Sequence, residues 1–383
     1  MTPPRSVRIT GWGMYAPEDV LTNADFEQLV DTSDAWILER TGIRERHVAR
    51  PEESTATMAA VAGRRALAVA GLEPEQLDLI IVPTLTADHR TPSAASLVKE
   101  GLGSIRAAAV DVGAACSGFP YGYALGHGYV AGGLGRNVLV VASETLSRFT
   151  DYTERGTAVL LGDGAGAVVL SASDEPGGGL LGLELTDEPE GAYSIWQPAG
   201  GSRFPVTPAA IAAGDHFWRM DGRDTYRHAT RQMAATARAA LDRAGIGPDE
   251  VSLFIPHQAN LRIIETVARQ LDLPMARVFV NIDRYGNTSA ASVPLALAEA
   301  VADGRVQVGD KVCLLAFGAG FTSGALVVEW TADPARDALA ASVDPADVSI
   351  HLPEGWPVVD ALPPEVRALV DAHRTPAAAL GRP

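Results

Sequence analysis

The chain has 383 residues, 47% of them apolar, and a formal charge of −16. That length and apolar share exclude a chain disordered as a whole, and the acidic balance excludes general affinity for nucleic acid, whose phosphates demand a basic face. Two cysteines are too few for a disulfide framework or a cysteine-built zinc site, so no metal is expected, and no apolar run reaches the roughly 18 to 20 residues of a membrane helix.

Met1–Arg5 run straight into the strand-like Val7-Arg8-Ile9-Thr10 with no apolar core or cleavage site of a secretory signal, which predicts a soluble, cytoplasmic protein. Beyond it, amphipathic helices alternate with short aliphatic strands such as Leu79–Val82 and Val138–Val141, the pattern of an α/β fold with buried sheets. Asp111-Val112-Gly113-Ala114-Ala115-Cys116-Ser117-Gly118-Phe119-Pro120 reads as a strand, a tight turn and a helix that tolerates Pro120 in its first turn. Cys116 then sits at a helix N-terminus, whose partial positive charge favours a thiolate. A small buried cysteine is the plain alternative.

The segment Ala66–Val82 is echoed by Ala240–Pro256, with Gly71 falling on Gly245 and Val138–Ala142 on Val312–Ala316, an offset of 174. Register kept over several elements points to duplication, and two similar halves would share a ligand cleft at their junction. The interruption around Ser173-Asp174-Glu175-Pro176 divides the chain into residues 1–175 and 176–330. In the second half His257 follows the repeated strand in Pro256-His257-Gln258-Ala259-Asn260. Asn287 lies in the turn Tyr285-Gly286-Asn287-Thr288-Ser289, which aligns with the Cys116 turn at an offset of 171. Cys313, inside the apolar run Val312–Phe317, reads as a structural thiol. Residues 331–383 hold eight prolines and many alanines and read as an extended or partly disordered arm, with a short helix near Glu365–His373.

Taken together, Ala115-Cys116-Ser117-Gly118-Phe119, His257-Gln258-Ala259-Asn260-Leu261-Arg262-Ile263 and Tyr285-Gly286-Asn287-Thr288-Ser289-Ala290-Ala291-Ser292-Val293-Pro294 resemble the catalytic motifs of the β-ketoacyl-acyl carrier protein synthase III family. So do Trp36–Arg46, Glu154–Thr157, Gly162–Ala167 and Phe317–Phe321, and the resemblance spans residues 5–330. It implies a thiolase-like, five-layered αβαβα fold and a homodimer. It implies that Cys116 takes an acyl group from acyl-CoA, which is a substrate, so that no cofactor is needed. His257 and Asn287 would then promote decarboxylative condensation with malonyl-acyl carrier protein, in fatty-acid initiation or polyketide priming. The backbone N–H groups of Cys116 and Ala319 would hold the oxyanion. Trp36, Arg40, Arg155, Gly222 and Asn260 would bind CoA, Trp36 and Arg155 sandwiching its adenine. Arg227, Arg262 and Arg269 would meet the carrier protein.

Two positions depart from the family pattern. Thr91 and Leu161 stand where aromatic side chains are common around the acyl pocket, which implies room beyond an acetyl primer, the loop of Thr91 reaching the neighbouring subunit. Three other functions compete. An acyltransferase of the same fold would pass the acyl group to an alcohol or amine, but has no use for Asn287. A cysteine hydrolase also uses Cys, His and Asn in this order, but would not call for duplicated halves. A silent scaffold would not keep all three polar residues.

Overall fold

The computed structural model describes residues 6–175, 177–353 and 355–374. Pro176 at the expected boundary between the halves and residues 375–383 of the extension lie outside them, as do Met1–Arg5 and Glu354. Two sheets carry the fold, their strands formed by the aliphatic runs whose side chains suit a pleated surface buried on both faces. The first has the spatial order Ser6–Tyr15, Asp163–Ser173, Asn137–Thr145, Leu79–Pro83, Ala108–Val112. The second runs Gly179–Asp187, Thr322–Glu329, Lys311–Gly318, Leu253–Pro256. The sheets match strand for strand in that order, and the edge strand Ala108–Val112 is answered by an isolated parallel bridge between Phe254 and Val278.

The registers match as well. Leu79 pairs in parallel with Val138, and Leu253 with Val312, so both partners move by 174 positions (79 to 253 and 138 to 312). The helices Thr55–Ala70 and Gly222–Ala244 both end on glycine in the left-handed conformation, at Gly71 and Gly245. The turn Ala115–Ser117 leads into the helix Gly118–Ala131, and the turn Ser289–Ala291 leads into Ser292–Ala302. The offset is therefore 174 here too, and the structural counterpart of Cys116 is Ala290. The expected pairing of Cys116 with Asn287 at 171 is corrected: both turns place their first residue, Ala115 and Ser289, at positive φ (48° and 49°), and this backbone feature fixes the alignment better than side-chain polarity.

Side-chain alternation sorts the layers. Val138 and Val140 of the first sheet and Val312 and Leu314 of the second face a shared centre filled by Phe119, Tyr123, Val293 and Leu297 of the two central helices. Leu139 and Val141 face outward onto Thr55–Ala70 and Ala94–Leu102. Cys313 and Leu315 face outward onto Gly222–Ala244 and Leu261–Gln270. The result is helix, sheet, helix, sheet, helix. Cys313 is fully buried among apolar groups, which push its thiol up to about 12.

The central layer is made by exchange. Pro120, in the first turn of one central helix, lies against Gly324 in the other half's sheet, where an added Cβ would stand 2.6 Å from the Pro120 Cβ. Pro294, its counterpart, lies against Gly166, where the corresponding distance is 2.9 Å. No side chain fits between ring and strand at either place.

The extension is docked at its two ends, over residues 331–350 and 362–374, while residues 351–353 and 355–361 run exposed between them as the expected arm does. Asp337 accepts a hydrogen bond from the Trp12 indole at 2.7 Å, and the Trp12 and Trp330 rings pack at 5.1 Å, tilted by 56°. The helix Pro364–His373 inserts Val366 and Val370, with Leu362 one turn before them, among Leu21, Phe26 and Ile37. The proline count concealed this apolar stripe at i, i+4 and i+8. Burial pushes the Asp19 carboxyl up, but Arg374 and Arg50 outweigh it and hold the group below its ordinary value. Among the described residues no helix is long and apolar enough to cross a membrane.

Candidate active site

Cys116 stands in the turn that ends the strand Ala108–Val112, and it is half-buried. The turn is tied to the second half by two hydroxyl bonds: Ser117 donates to the Thr322 carbonyl, and Thr322 donates to the Ala114 carbonyl, each at 3.0 Å. Gly318 abuts it so closely that an added Cβ would lie 2.6 Å from the Cys116 backbone nitrogen. This contact sets Ala319 on the same small pocket as Cys116. Burial pushes the Cys116 thiol up to about 11, the Ser289 hydroxyl pulling it down and the Glu144 charge pushing it further up. The expected bias toward thiolate from the helix terminus is thus outweighed, because the resting thiol is enclosed in apolar surroundings.

His257 follows the strand Leu253–Pro256, where its backbone N–H donates to Leu315 at 2.7 Å. The ring is buried, and burial pushes it down to about 3, so it is neutral across the physiological range. Its Nδ1 lies 2.6 Å from the Ser292 hydroxyl oxygen, which also accepts from the Gln258 N–H at 3.1 Å. With that acceptance made, the one hydroxyl proton is best used toward Nδ1, which leaves the ring proton on Nε2. Asn287 is fixed on both sides. Its backbone N–H donates to Leu160 at 2.8 Å, its carbonyl accepts from Gly162 at 3.0 Å, and its Oδ1 accepts from the Ser289 N–H at 2.8 Å. The amide Nδ2–H2 is left to act as a donor.

One cavity of about 300 Å³ joins Cys116, His257 and Asn287 to Trp36, Arg40, Gly222 and Asn260. Asn260 caps the helix Leu261–Gln270, accepting from the Arg262 N–H while its Nδ2 donates to the Arg40 carbonyl, both at 2.9 Å. Arg155 stacks directly over Trp36 at 4.6 Å, so a base held between them must first part the pair. Arg227, Arg262 and Arg269 lie exposed on two neighbouring helices joined by Tyr226 and Thr266 at 2.9 Å, with Arg227 paired to Asp224. Leu161 lines the small pocket beside Cys116. Thr91 does not line it: it is exposed, and its hydroxyl donates to the Arg90 carbonyl.

Several contributors escaped the sequence reading. Ser289 and Ser292 were quoted only as part of the motif around Asn287, and the fold brings Ser292 to His257. Glu144 is buried behind the site, accepting from Thr86 at 2.7 Å and from the Leu85 N–H, and burial pushes its carboxyl up to about 7. An acidic residue closing the apolar strand Asn137–Thr145 was the available signal. Trp218 also lines the small pocket.

Comparison with known proteins identifies the family. Residues 110–189 match the 3-oxoacyl-[acyl-carrier-protein] synthase III family, and residues 241–330 match its C-terminal part. The β-ketoacyl-[acyl-carrier-protein] synthase III of Roseiflexus sp. (strain RS-1) is 51% identical over 324 residues, covering 85% of this chain and 98% of its own. The crystal structure of 3-oxoacyl-[acyl-carrier-protein] synthase III from Aquifex aeolicus VF5 superposes with a TM-score of 0.78 at 43% identity, covering 85% of this chain and all of that one. The priming β-ketosynthase of the R1128 polyketide biosynthetic pathway gives 0.80 at 34% identity, covering 87% and 98%. The chain therefore belongs to the β-ketoacyl-acyl carrier protein synthase III family of thiolase-fold condensing enzymes.

Proposed function

We propose that this chain transfers an acyl primer from acyl-CoA to Cys116 and condenses it with malonyl-acyl carrier protein, releasing carbon dioxide and a β-ketoacyl product. The observation that carries this reading is one cavity holding a thiol, a neutral imidazole and an amide donor, reached past an indole, a guanidinium and a helix N-terminus. In the first half-reaction the Cys116 sulfur attacks the thioester carbonyl and CoA leaves as its thiol, taking up the proton that Cys116 gives up. The backbone N–H groups of Cys116 and Ala319 hold the oxyanion.

In the second, His257 Nε2–H and Asn287 Nδ2–H donate to the malonyl thioester oxygen. The electrons of the lost carboxylate pass into the enolate, whose carbon attacks the acyl-Cys116 carbonyl and expels the thiolate. A permanently neutral imidazole suits a donor better than a base. No step calls for a metal or redox cofactor. Trp36, Arg40, Arg155, Gly222 and Asn260 bind the CoA portion, and Arg227, Arg262 and Arg269 receive the acidic carrier. The working form is a cytoplasmic homodimer, in which the loop of Thr91 reaches the partner's acyl pocket. Its place is the priming of a fatty acid or a polyketide.

Intact-mass measurement after incubation with a panel of acyl-CoA compounds, then with malonyl-acyl carrier protein, tests both halves. Cys116→Ala should lose the acyl adduct and Cys313→Ala keep it. His257→Ala and Asn287→Ala should keep some adduct and lose carbon dioxide release. Undiminished release in either variant would remove that residue from the mechanism, and acyl transfer to an alcohol or amine without release would favour the acyltransferase alternative.

A further inference from the structure

Glu144 stands near the end of the strand Asn137–Thr145, fully buried, and no step of the proposed reaction uses it. A carboxyl taken out of water is costly unless it is held or takes part in chemistry. On one side it is held by the loop after Leu79–Pro83, where the Thr84 and Thr86 hydroxyls donate at 3.2 and 2.7 Å and the Leu85 N–H at 3.1 Å. A further bond comes from the Ser289 hydroxyl, which also bonds the Cys116 sulfur. The packing agrees with this placement: the strand of Glu144 lies against the turn Ser289–Ala291, and that turn lies against Ala115–Ser117. Ser289 therefore bridges a buried acid and the nucleophile.

A hydroxyl has one proton to give and can accept as well. With Cys116 as a thiol, its S–H donates to the Ser289 oxygen and the Ser289 proton goes to the carboxylate; with Cys116 as a thiolate, both bonds reverse and the proton sits on Glu144. Burial raises the Cys116 thiol most, and the Glu144 charge raises it further. A thiolate beside that carboxylate would be a second buried anion, whereas passing the proton along keeps the pair at one negative charge. His257 is no substitute, because its Nδ1 is engaged by Ser292 and its ring is held neutral by burial. Glu144, pushed by burial to about 7, can take a proton and give it back near neutrality. We propose that Glu144 is the proton acceptor of acyl loading, reached through the Ser289 hydroxyl. As the Cys116 sulfur bonds the thioester carbon, its proton passes to the Ser289 oxygen and the Ser289 proton to Glu144. As the bond to the CoA sulfur breaks, Glu144 returns the proton through the same hydroxyl to that sulfur, which shares the tetrahedral carbon with Cys116. This inference rests on Cys116 being the acyl acceptor.

The test compares two reactions of Cys116 in Glu144→Gln near neutral pH. One is loading from a panel of acyl-CoA compounds, acetyl-CoA and butyryl-CoA included, read by rapid quench and intact mass; the other is alkylation by iodoacetamide, whose iodide leaves without a proton. Loading should fall by about 100-fold, the low end of general acid–base catalysis. Alkylation should stay level or quicken, because the Glu144 charge no longer opposes the thiolate. Ser289→Ala should lose loading to the same extent, and the double variant should lose no more than either single one, as members of one relay do. A thermal melt checks that each variant is folded. If Glu144→Gln speeds both reactions, Glu144 acts by charge alone; if it slows both alike, Glu144 only holds the fold; if the losses add in the double variant, the two residues act separately. Each of these results would overturn the proposal, as would Ser289→Ala loading within about 2-fold of the wild type. An adduct that persists in Cys116→Ala would overturn the acyl-acceptor assignment instead.

Discussion

The Nδ1 atom of His257 and the hydroxyl oxygen of Ser292 lie 2.6 Å apart, both buried where the second strand-and-helix junction meets the cavity. Ser292 also accepts from Gln258, and donation of its one proton to Nδ1 favours the Nε2–H form of the imidazole. Ser292→Ala should release that choice and cut carbon dioxide release by about 10- to 100-fold, the range for losing a buried hydrogen-bond partner, while acyl loading on Cys116 stays within about 2-fold. Ser292→Thr should restore most of the release. Equal losses in loading and release would mean that Ser292 only holds the fold.

The Cys116 thiol gives a pH prediction. An acid whose pKa is raised from 9 to about 11 is less ionised at any pH below that range, so the thiolate fraction at pH 8 falls from about 0.1 to about 0.001. Alkylation of Cys116 by iodoacetamide should therefore be slow at pH 8 and still rising at pH 10. A plateau by pH 9 would show that the helix terminus, and not burial, governs the thiol.

Gly166→Ala and Gly324→Ala press a methyl group onto Pro294 and Pro120 at distances no packed core tolerates. Each should lower stability by about 1 to 3 kcal/mol through overpacking, measured by chemical denaturation. Gly166→Ala should cost more than Gly324→Ala, because its methyl group meets the Leu295 backbone nitrogen at 2.3 Å rather than a side chain alone.

Val366 and Val370 are fully buried under the body of the protein. Full burial of such a side chain is worth roughly 1.5 to 3 kcal/mol, so Val366→Asp, which adds an unpaired charge as well, should strip the terminal helix from its seat. Limited proteolysis near residue 360 would then be accelerated while the core stays resistant. An unchanged digestion pattern would contradict the docking.

Much of the layering could be read from the sequence because each strand carries its own alternation: Val138 and Val140 against Leu139 and Val141, and Val312 and Leu314 against Cys313 and Leu315. The duplication was legible through Gly71 and Gly245. Its register at the catalytic turn was not, since Asn287 drew the alignment by chemistry while the backbone at Ala115 and Ser289 follows a different count. The motifs around Cys116, His257 and Asn287 stood out through resemblance, but the charge states at the site did not. Helix-terminus reasoning is local, and burial of Cys116 is decided by Leu160, Phe317 and other residues far away in sequence. The terminal helix was legible near Glu365–His373, but its seat was not, since prolines flank the three apolar side chains that dock it.

The exchange of Pro120 and Pro294 across the centre says something about descent. Each half lays the proline of its central helix into a glycine gap of the other half's sheet, so the two copies are bound through one shared core layer and not along an outer surface. Within that layer the copies have diverged. Ala290 now holds the place that Cys116 holds in the first copy, fully closed from solvent. Of the two matching turns, the one with Cys116 lines the cavity, and the other, closed into the core, begins just after Asn287.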